Sequence, residues 1–100
     1  MMVQTQSYSN TPGEGALAHK IRDELESEGI EVQLQALTGE RLNTIAWLHS
    51  EGDGPSLMLN GHIDTNMAGE GWTKDPFGAE IDDDCIYGIG VSNMKASERP

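Results

Sequence analysis

The spacing of hydrophobic and polar residues predicts a helix near the beginning of the chain. Apolar side chains recur every fourth residue, which places them in one stripe along a helix: Leu17, Ile21 and Leu25. Thr11 and Pro12 are a typical helix start, with Thr11 as N-cap and Glu14 as its capping-box partner. Gly29 predicts the end of the helix, because glycine readily adopts the left-handed conformation of a C-terminal cap.

The pattern then changes to one typical of β-strands. Apolar and polar residues alternate over residues 30–36, and residues 43–48 are apolar on both faces, with a turn at Thr38–Arg41 between them. This predicts an antiparallel hairpin. A second, smaller hairpin is predicted over residues 79–87, with its turn at Asp82–Asp84. Residues 1–10 are polar, and we expect them to be frayed or to complete an element that begins upstream.

A short apolar run predicts a covered strand that ends at a candidate site. Leu57–Leu59 is apolar on both faces, and the chain then continues through a glycine to His62 and Asp64. Residues two apart on an extended chain point to the same side. Imidazole is the commonest metal ligand among side chains, and a carboxylate often holds its other nitrogen. The pair His62 and Asp64 is therefore a candidate metal site, and the alternative is a surface loop, which is what most His-x-Asp triplets form.

Residues 88–95 are rich in glycine and polar residues, which predicts a turn. We expect this turn to place Ser92 or Asn93 as the N-cap of a helix that begins at Met94. Gly88 and Gly90 resemble the start of a dinucleotide fingerprint, but the third glycine is missing and no βαβ pattern surrounds them. A nucleotide site is therefore not predicted here.

Composition narrows the class of protein. The 100 residues suffice for one small domain, and 17 acidic against 6 basic residues give a net charge of −11. Nucleic-acid binding is not expected, since phosphate contacts need lysine and arginine. We expect no membrane span and no signal peptide, because no long apolar run is present. Cys85 is the single cysteine and excludes an internal disulfide, so the sequence favours a cytoplasmic protein.

Three motifs, in this order and at these separations, resemble one known family. They lie at residues 57–65 (LMLNGHIDT), 71–78 (GWTKDPFG) and 87–95 (YGIGVSNMK). The chain resembles the zinc-dependent amidohydrolases of peptidase family M twenty, which includes acetylornithine deacetylase, succinyl-diaminopimelate desuccinylase, aminoacylase and glutamate carboxypeptidase. The resemblance extends over residues 11–96 and is densest over 57–95.

The resemblance implies a fold and an activity. Residues 1–100 are expected to form the N-terminal, incomplete part of a catalytic domain with a zinc-peptidase-like, mixed-sheet α/β fold. The implied cofactor is zinc, as one or two ions, with cobalt as an alternative metal. The implied reaction is hydrolysis of the amide bond of an N-acyl amino acid or a dipeptide-like substrate. The general base, the remaining ligands and a lid or dimerisation domain are expected beyond residue 100, and a homodimer is the implied assembly.

The resemblance also assigns roles to three residues. His62 is expected to ligate one zinc, and Asp64 to support that histidine in catalysis. Asn93 stands where the family has an aspartate that bridges two metals. An amide oxygen is a neutral and weaker ligand, which leaves open whether one or two metals bind.

Two alternatives to an active enzyme remain open. The first is a non-catalytic relative that binds one metal or none, which Asn93 favours. The second is a truncated gene remnant without function, which the polar residues 96–100 favour where the family continues into a helix. We expect the chain to be inactive by itself under all of these hypotheses.

Overall fold

The computed structural model describes residues 2–95 and contains one α-helix and four strands within them. The elements in chain order are a 3₁₀ turn at Met2–Gln4, α1 at Pro12–Ser27, β1 at Glu31–Thr38, β2 at Arg41–Trp47, β3 at Glu80–Asp82 and β4 at Cys85–Tyr87. Strands β1 and β2 form one antiparallel pair, and β3 and β4 form a second. The predicted helix and both predicted hairpins are confirmed.

The two ends of α1 show one prediction confirmed and one wrong. Gly29 has a φ of +78°, and the amide of Ile30 donates to the carbonyl of Leu25 at 3.1 Å, as a Schellman cap requires. At the start, Thr11 is the N-cap residue but its side chain makes no cap hydrogen bond. The predicted capping box does not form, because Glu14 is buried and turns towards Arg41, which donates to it at 3.2 Å.

Helix α1 packs against the first hairpin. Leu17 and Ala18 are completely buried, and the Thr44 hydroxyl of β2 donates to the Ala18 carbonyl at 3.0 Å. In β1 and β2, Glu31 lies opposite Trp47, and the register shifts near the turn. The buried apolar side chains within residues 2–95 are Val3, Leu17, Ala18 and Ile89. The core of this part of the protein is therefore small.

The predicted strand at Leu57–Leu59 is wrong for the part of the chain that the structure describes. These residues lie outside both sheets, and their side chains are 81% to 86% exposed. A run that is apolar on both faces forms a strand only when another chain segment pairs with its backbone and other elements cover its faces. Neither hairpin supplies such a partner, because β1 pairs with β2 and β3 with β4.

The expectation that the first ten residues are frayed is also wrong for residues 2–10. Val3 and Ser7 are buried, and Tyr8 forms a parallel bridge with Thr65. The Thr65 amide donates to Ser7 O at 2.8 Å, and the Ser9 amide donates to Thr65 O at 3.0 Å. The polar composition of this segment reflects its backbone pairing and its hydroxyl contacts.

Residues 88–95 form successive turns, and no helix has begun by Lys95. The Asn93 amide donates to Gly90 O at 3.1 Å within this turn. Residues 96–100, over which the predicted helix would continue, lie outside the described residues. The turn itself is confirmed, while the predicted helix start at Met94 is not found up to Lys95.

The architecture agrees with the predicted α/β class, since one helix packs on antiparallel strands. Across residues 2–95, no helix combines the length and the apolarity that a membrane crossing needs. The structure by itself carries no link to a zinc-peptidase catalytic domain.

Gly13 brings α1 close to the amino-terminal segment, and this closeness gives a first prediction. A β-carbon at Gly13 would lie 2.0 Å from Gln6 O, which is a backbone atom that cannot move aside cheaply. We expect Gly13→Ala to lower the free energy of unfolding by about 1–3 kcal/mol, although alanine favours helices over glycine by about 1 kcal/mol.

The matched control is Gly54→Ala, because a β-carbon there meets no heavy atom within 4 Å. Urea titration followed by circular dichroism gives both values. Equal stability of the two variants would show that the amino-terminal segment does not pack against α1 as the structure has it.

Candidate metal centre

The three residues predicted from the sequence lie together at one cavity of about 240 Å³. His62 and Asp64 follow the exposed apolar run, and Asn93 comes from the turn at residues 88–95. The amino-terminal segment contributes Ser9 to the same cavity. The site is therefore assembled from three stretches that are distant in sequence.

The two ring nitrogens of His62 face two different partners. Nδ1 lies 3.1 Å from the backbone oxygen of Asp64 and 3.2 Å from its Oδ1. Nε2 lies 3.1 Å from Asn93 Oδ1. All these partners are hydrogen-bond acceptors. The ring can therefore donate a hydrogen bond from each nitrogen, or donate from Nδ1 alone and bind a metal ion with Nε2. The hydrogen bond with Asn93 is the main cause that raises the pKa of His62 above 6.5.

Asp64 connects the histidine to the amino-terminal segment. Its Oδ1 faces His62, and its Oδ2 accepts a hydrogen bond from the Ser9 hydroxyl at 2.5 Å. The Ser9 bond is the main cause that holds the pKa of Asp64 below its ordinary value, with a smaller contribution from His62. Asp64 is therefore kept as a carboxylate beside the imidazole, and the predicted proximity of His62 and Asp64 is confirmed.

The turn that carries Asn93 is fixed by a buried lysine. Lys95 is 4% exposed, and its Nζ donates to Thr5 O at 2.9 Å and to Met2 O at 3.4 Å. Gly90 has a φ of +80°, and a β-carbon there would lie 3.0 Å from Thr65 Cγ2. The amino-terminal segment thus holds the Asn93 turn as well as Asp64.

The donor atoms fit part of a zinc site. His62 Nε2 and Asn93 Oδ1 are 3.1 Å apart, and two ligands at 2.0–2.1 Å from a tetrahedral zinc are separated by about 3.3 Å. The contact of Nδ1 with Asp64 is the arrangement that a metal-bound histidine uses to fix its tautomer. His62 and Asn93 are thus the residues that would hold a metal, and Asp64 the residue that would orient His62.

Residues 2–95 do not supply a complete set of ligands. Within this range no three histidine, cysteine, aspartate or glutamate side chains come together in a way that could hold a metal ion. His49 follows β2, and its Nε2 is 2.8 Å from Glu31 at the start of β1. A structural zinc has four ligands and a catalytic zinc has three with a water, so the two donors described here are a partial site.

Ser9 and Lys95 contribute to this site, although no sequence pattern predicts either of them. Ser9 precedes a helix cap in a polar stretch, where serine is common for reasons unrelated to any site. Lys95 ends a polar turn, where a lysine is ordinarily exposed, and nothing in the local sequence marks it as buried. Both contacts join residues that are far apart in the chain, and no local pattern reports such pairs.

Comparison with known proteins identifies curated relatives. The chain is 38% identical to succinyl-diaminopimelate desuccinylase of Wolinella succinogenes, over 88% of this chain and 23% of that protein. The same enzyme of Hydrogenovibrio crunogenus is 36% identical, over 96% of this chain and 25% of that protein. Acetylornithine deacetylase of Aliivibrio salmonicida is 34% identical, over 94% of this chain and 26% of that protein. No family model matches, and no solved structure matches significantly.

By their names, these relatives remove a succinyl group from succinyl-diaminopimelate or an acetyl group from acetylornithine. The chain belongs to the family of succinyl-diaminopimelate desuccinylase and acetylornithine deacetylase over the stretch it shares with them, so the predicted resemblance is confirmed. The chain spans about a quarter of the length of these relatives.

Proposed function

We propose that the chain is part of a zinc-dependent hydrolase that cleaves the amide bond of an N-acyl amino acid or a dipeptide-like substrate. The main support is the arrangement of His62 between Asp64 and Asn93, in a chain whose curated relatives are a desuccinylase and a deacetylase. Zinc in such a site supplies a Lewis acid and an activated water. The chain by itself is expected not to catalyse the reaction, because residues 2–95 offer two metal-facing donors.

Each residue of the site has a distinct part in this proposal. His62 presents Nε2 as the ligand, and Asp64 keeps the proton on Nδ1 so that Nε2 remains free to bind. Asn93 presents a neutral oxygen beside that nitrogen. The charge that a substrate or water would meet is therefore less negative than an aspartate at this position would make it.

A second candidate function is that of a non-catalytic relative that binds one metal. Asn93 favours it, because an amide offers a single carbonyl oxygen and that oxygen faces His62. Such an oxygen lacks the second negative oxygen with which a carboxylate bridges two ions. The two candidates differ in metal stoichiometry and in hydrolysis.

The test compares this chain with the protein expressed from its full reading frame. We expect this chain to retain much less than one zinc per molecule after dialysis. The product of the full reading frame is expected to retain at least one, and to hydrolyse N-succinyl-diaminopimelate or N-acetylornithine. Metal is measured by elemental analysis and hydrolysis by release of the free amine.

Two histidine variants of the full product serve as target and control. His62→Ala should remove the metal, whereas His49→Ala should leave it bound, because His49 pairs with Glu31 away from the cavity. One metal without hydrolysis would support the non-catalytic candidate. Equal metal content in both variants and the parent would exclude His62 as a ligand, and a reading frame that ends at residue 100 would favour the gene remnant.

A further inference from the structure

The hydroxyl of Ser9 meets the carboxylate that orients the candidate ligand. Ser9 Oγ is 2.5 Å from Asp64 Oδ2 and 3.2 Å from Thr65 O. The hydroxyl has one proton, and the carboxylate is the closer and the charged acceptor. Hydrogen bonds to charged acceptors are about twice as strong as neutral ones, so Asp64 is the principal partner.

The backbone of Ser9 is fixed independently of its side chain. Its amide donates to Thr65 O at 3.0 Å, and Thr65 in turn donates to Ser7 O at 2.8 Å. The Ser7 hydroxyl, which is completely buried, donates to Ile63 O at 2.7 Å. These bonds hold residues 7–9 alongside residues 63–65, so the Ser9 hydroxyl reaches Asp64 from a backbone that is paired without it.

The carboxylate of Asp64 is consequently held at both oxygens. Oδ2 accepts from Ser9, and Oδ1 lies 3.2 Å from His62 Nδ1. The side chains of His62 and Asp64 remain 51% and 36% exposed, so burial does not immobilise them. Without the Ser9 bond, the carboxylate could rotate about its terminal torsion, which is a broad and roughly two-fold one.

We propose that Ser9 is a positioning residue, which holds Asp64 so that His62 keeps its proton on Nδ1 and presents Nε2 to a metal. This inference rests on the proposed function for its metal and extends it to a residue outside the motifs that resemble the family. Partners that orient a metal-bound histidine typically change metal affinity by about 10–100-fold when removed.

The test uses four forms of the protein expressed from the full reading frame: the parent, Ser9→Ala, Ser9→Thr and Ser7→Ala. Ser9→Thr keeps the hydroxyl, and the added methyl group has room because Ser9 is exposed. Ser7→Ala removes a hydroxyl from the same segment, but that hydroxyl contacts the backbone of Ile63 and not Asp64. It therefore controls for a purely structural effect.

Two measurements are made on each form. The first is the ¹⁵N chemical shifts of the His62 ring without metal, at a pH high enough that these shifts no longer change with pH, so that the imidazole is neutral. We expect the Nδ1–H tautomer in the parent, Ser9→Thr and Ser7→Ala, and a larger fraction of the Nε2–H tautomer in Ser9→Ala, where the backbone oxygen of Asp64 is left as the main acceptor for Nδ1. The second is the cobalt dissociation constant from absorbance titration, which should rise about tenfold in Ser9→Ala and be restored in Ser9→Thr.

The outcomes separate this inference from the proposed function. If Ser9→Ala keeps the parent tautomer, or if Ser7→Ala shifts it equally, the positioning role of Ser9 is wrong. If the parent binds cobalt no better than His62→Ala does, the metal proposal fails, while the tautomer measurement still decides the role of Ser9.

Discussion

Asn93→Asp is expected to increase the affinity of the site for zinc at least about tenfold, and by more where a second ion binds. The substitution places a negative charge beside His62 Nε2, at a separation of 3.1 Å in the parent. A unit charge at about 4 Å from another contributes roughly 4 kcal/mol at an effective dielectric near 20. The interaction energy with a divalent ion is twice as large, because the charge of the ion is doubled. The exposure of His62 reduces this gain, since solvent screens exposed charges. Metal per chain after dialysis of the full reading-frame product gives the result, and hydrolysis should rise with it.

The matched control for this prediction is Asn66→Asp. Asn66 lines the same cavity, so this variant adds the same charge to that cavity, while Asn93 remains the contact of His62. We expect it to change metal content much less than Asn93→Asp does. Equal effects from the two variants would mean that the general field of the cavity, and not ligation at position 93, governs metal binding.

Met58→Lys is expected to weaken self-association of this chain about tenfold. Met58 is 81% exposed within an apolar run that also includes Leu57 and Leu59, at 85% and 86% exposure. Such a run without strand partners is a typical site for edge-to-edge pairing between chains. Burying one methionine side chain contributes about 1.5–3 kcal/mol, and lysine would forfeit it. Sedimentation velocity over a range of concentrations measures the effect.

Met67→Lys is the control for the change of charge. Met67 is the same residue type, is 77% exposed, and lies outside the apolar run. The net charge of −11 becomes less negative by the same amount in both variants. If the two variants associate equally, the apolar run is not the contact surface.

Local patterns predicted those parts of the fold that local interactions determine. The stripe of α1 and the glycine after it lie within a few residues of their partners, and the turns of both hairpins do as well. The prediction of a strand at Leu57–Leu59 was wrong because a strand forms only when another segment pairs with it. The prediction that the polar segment before α1 is frayed was wrong for a related reason, since its pairing partner Thr65 lies far along the chain.

The contacts of the candidate site also differ in whether the sequence predicts them. His62 and Asp64 were predicted as a pair because they are two residues apart, and their contact at 3.2 Å follows from that spacing. The family resemblance predicted that Asn93 lies at the same site as His62, and no periodicity in the sequence indicates this. Ser9 was not predicted at all, because a single serine in a polar stretch carries no signal until the fold brings Asp64 to it.

The long sequence separation of these site contacts has a consequence for the order of folding. The Ser9–Asp64 bond spans 55 residues and the Lys95–Thr5 bond spans 90, whereas β1 and β2 are joined by a short turn. Closing a loop of that size costs on the order of 2 kcal/mol more than closing the hairpin turn. Helix α1 and its hairpin are therefore expected to form first, and the site last.

The same ordering holds for fluctuations of the folded chain. Contacts that close long loops and lie near the surface open by local unfolding at a lower free energy than the packed helix and hairpin. Amide hydrogens of Thr65 and Ser9 should exchange with solvent sooner than those in the middle of β1 and β2. The metal-facing residues would then unfold locally before the helix and the hairpin do. A bound ion would cross-link segments that are far apart in the sequence and so oppose this local unfolding.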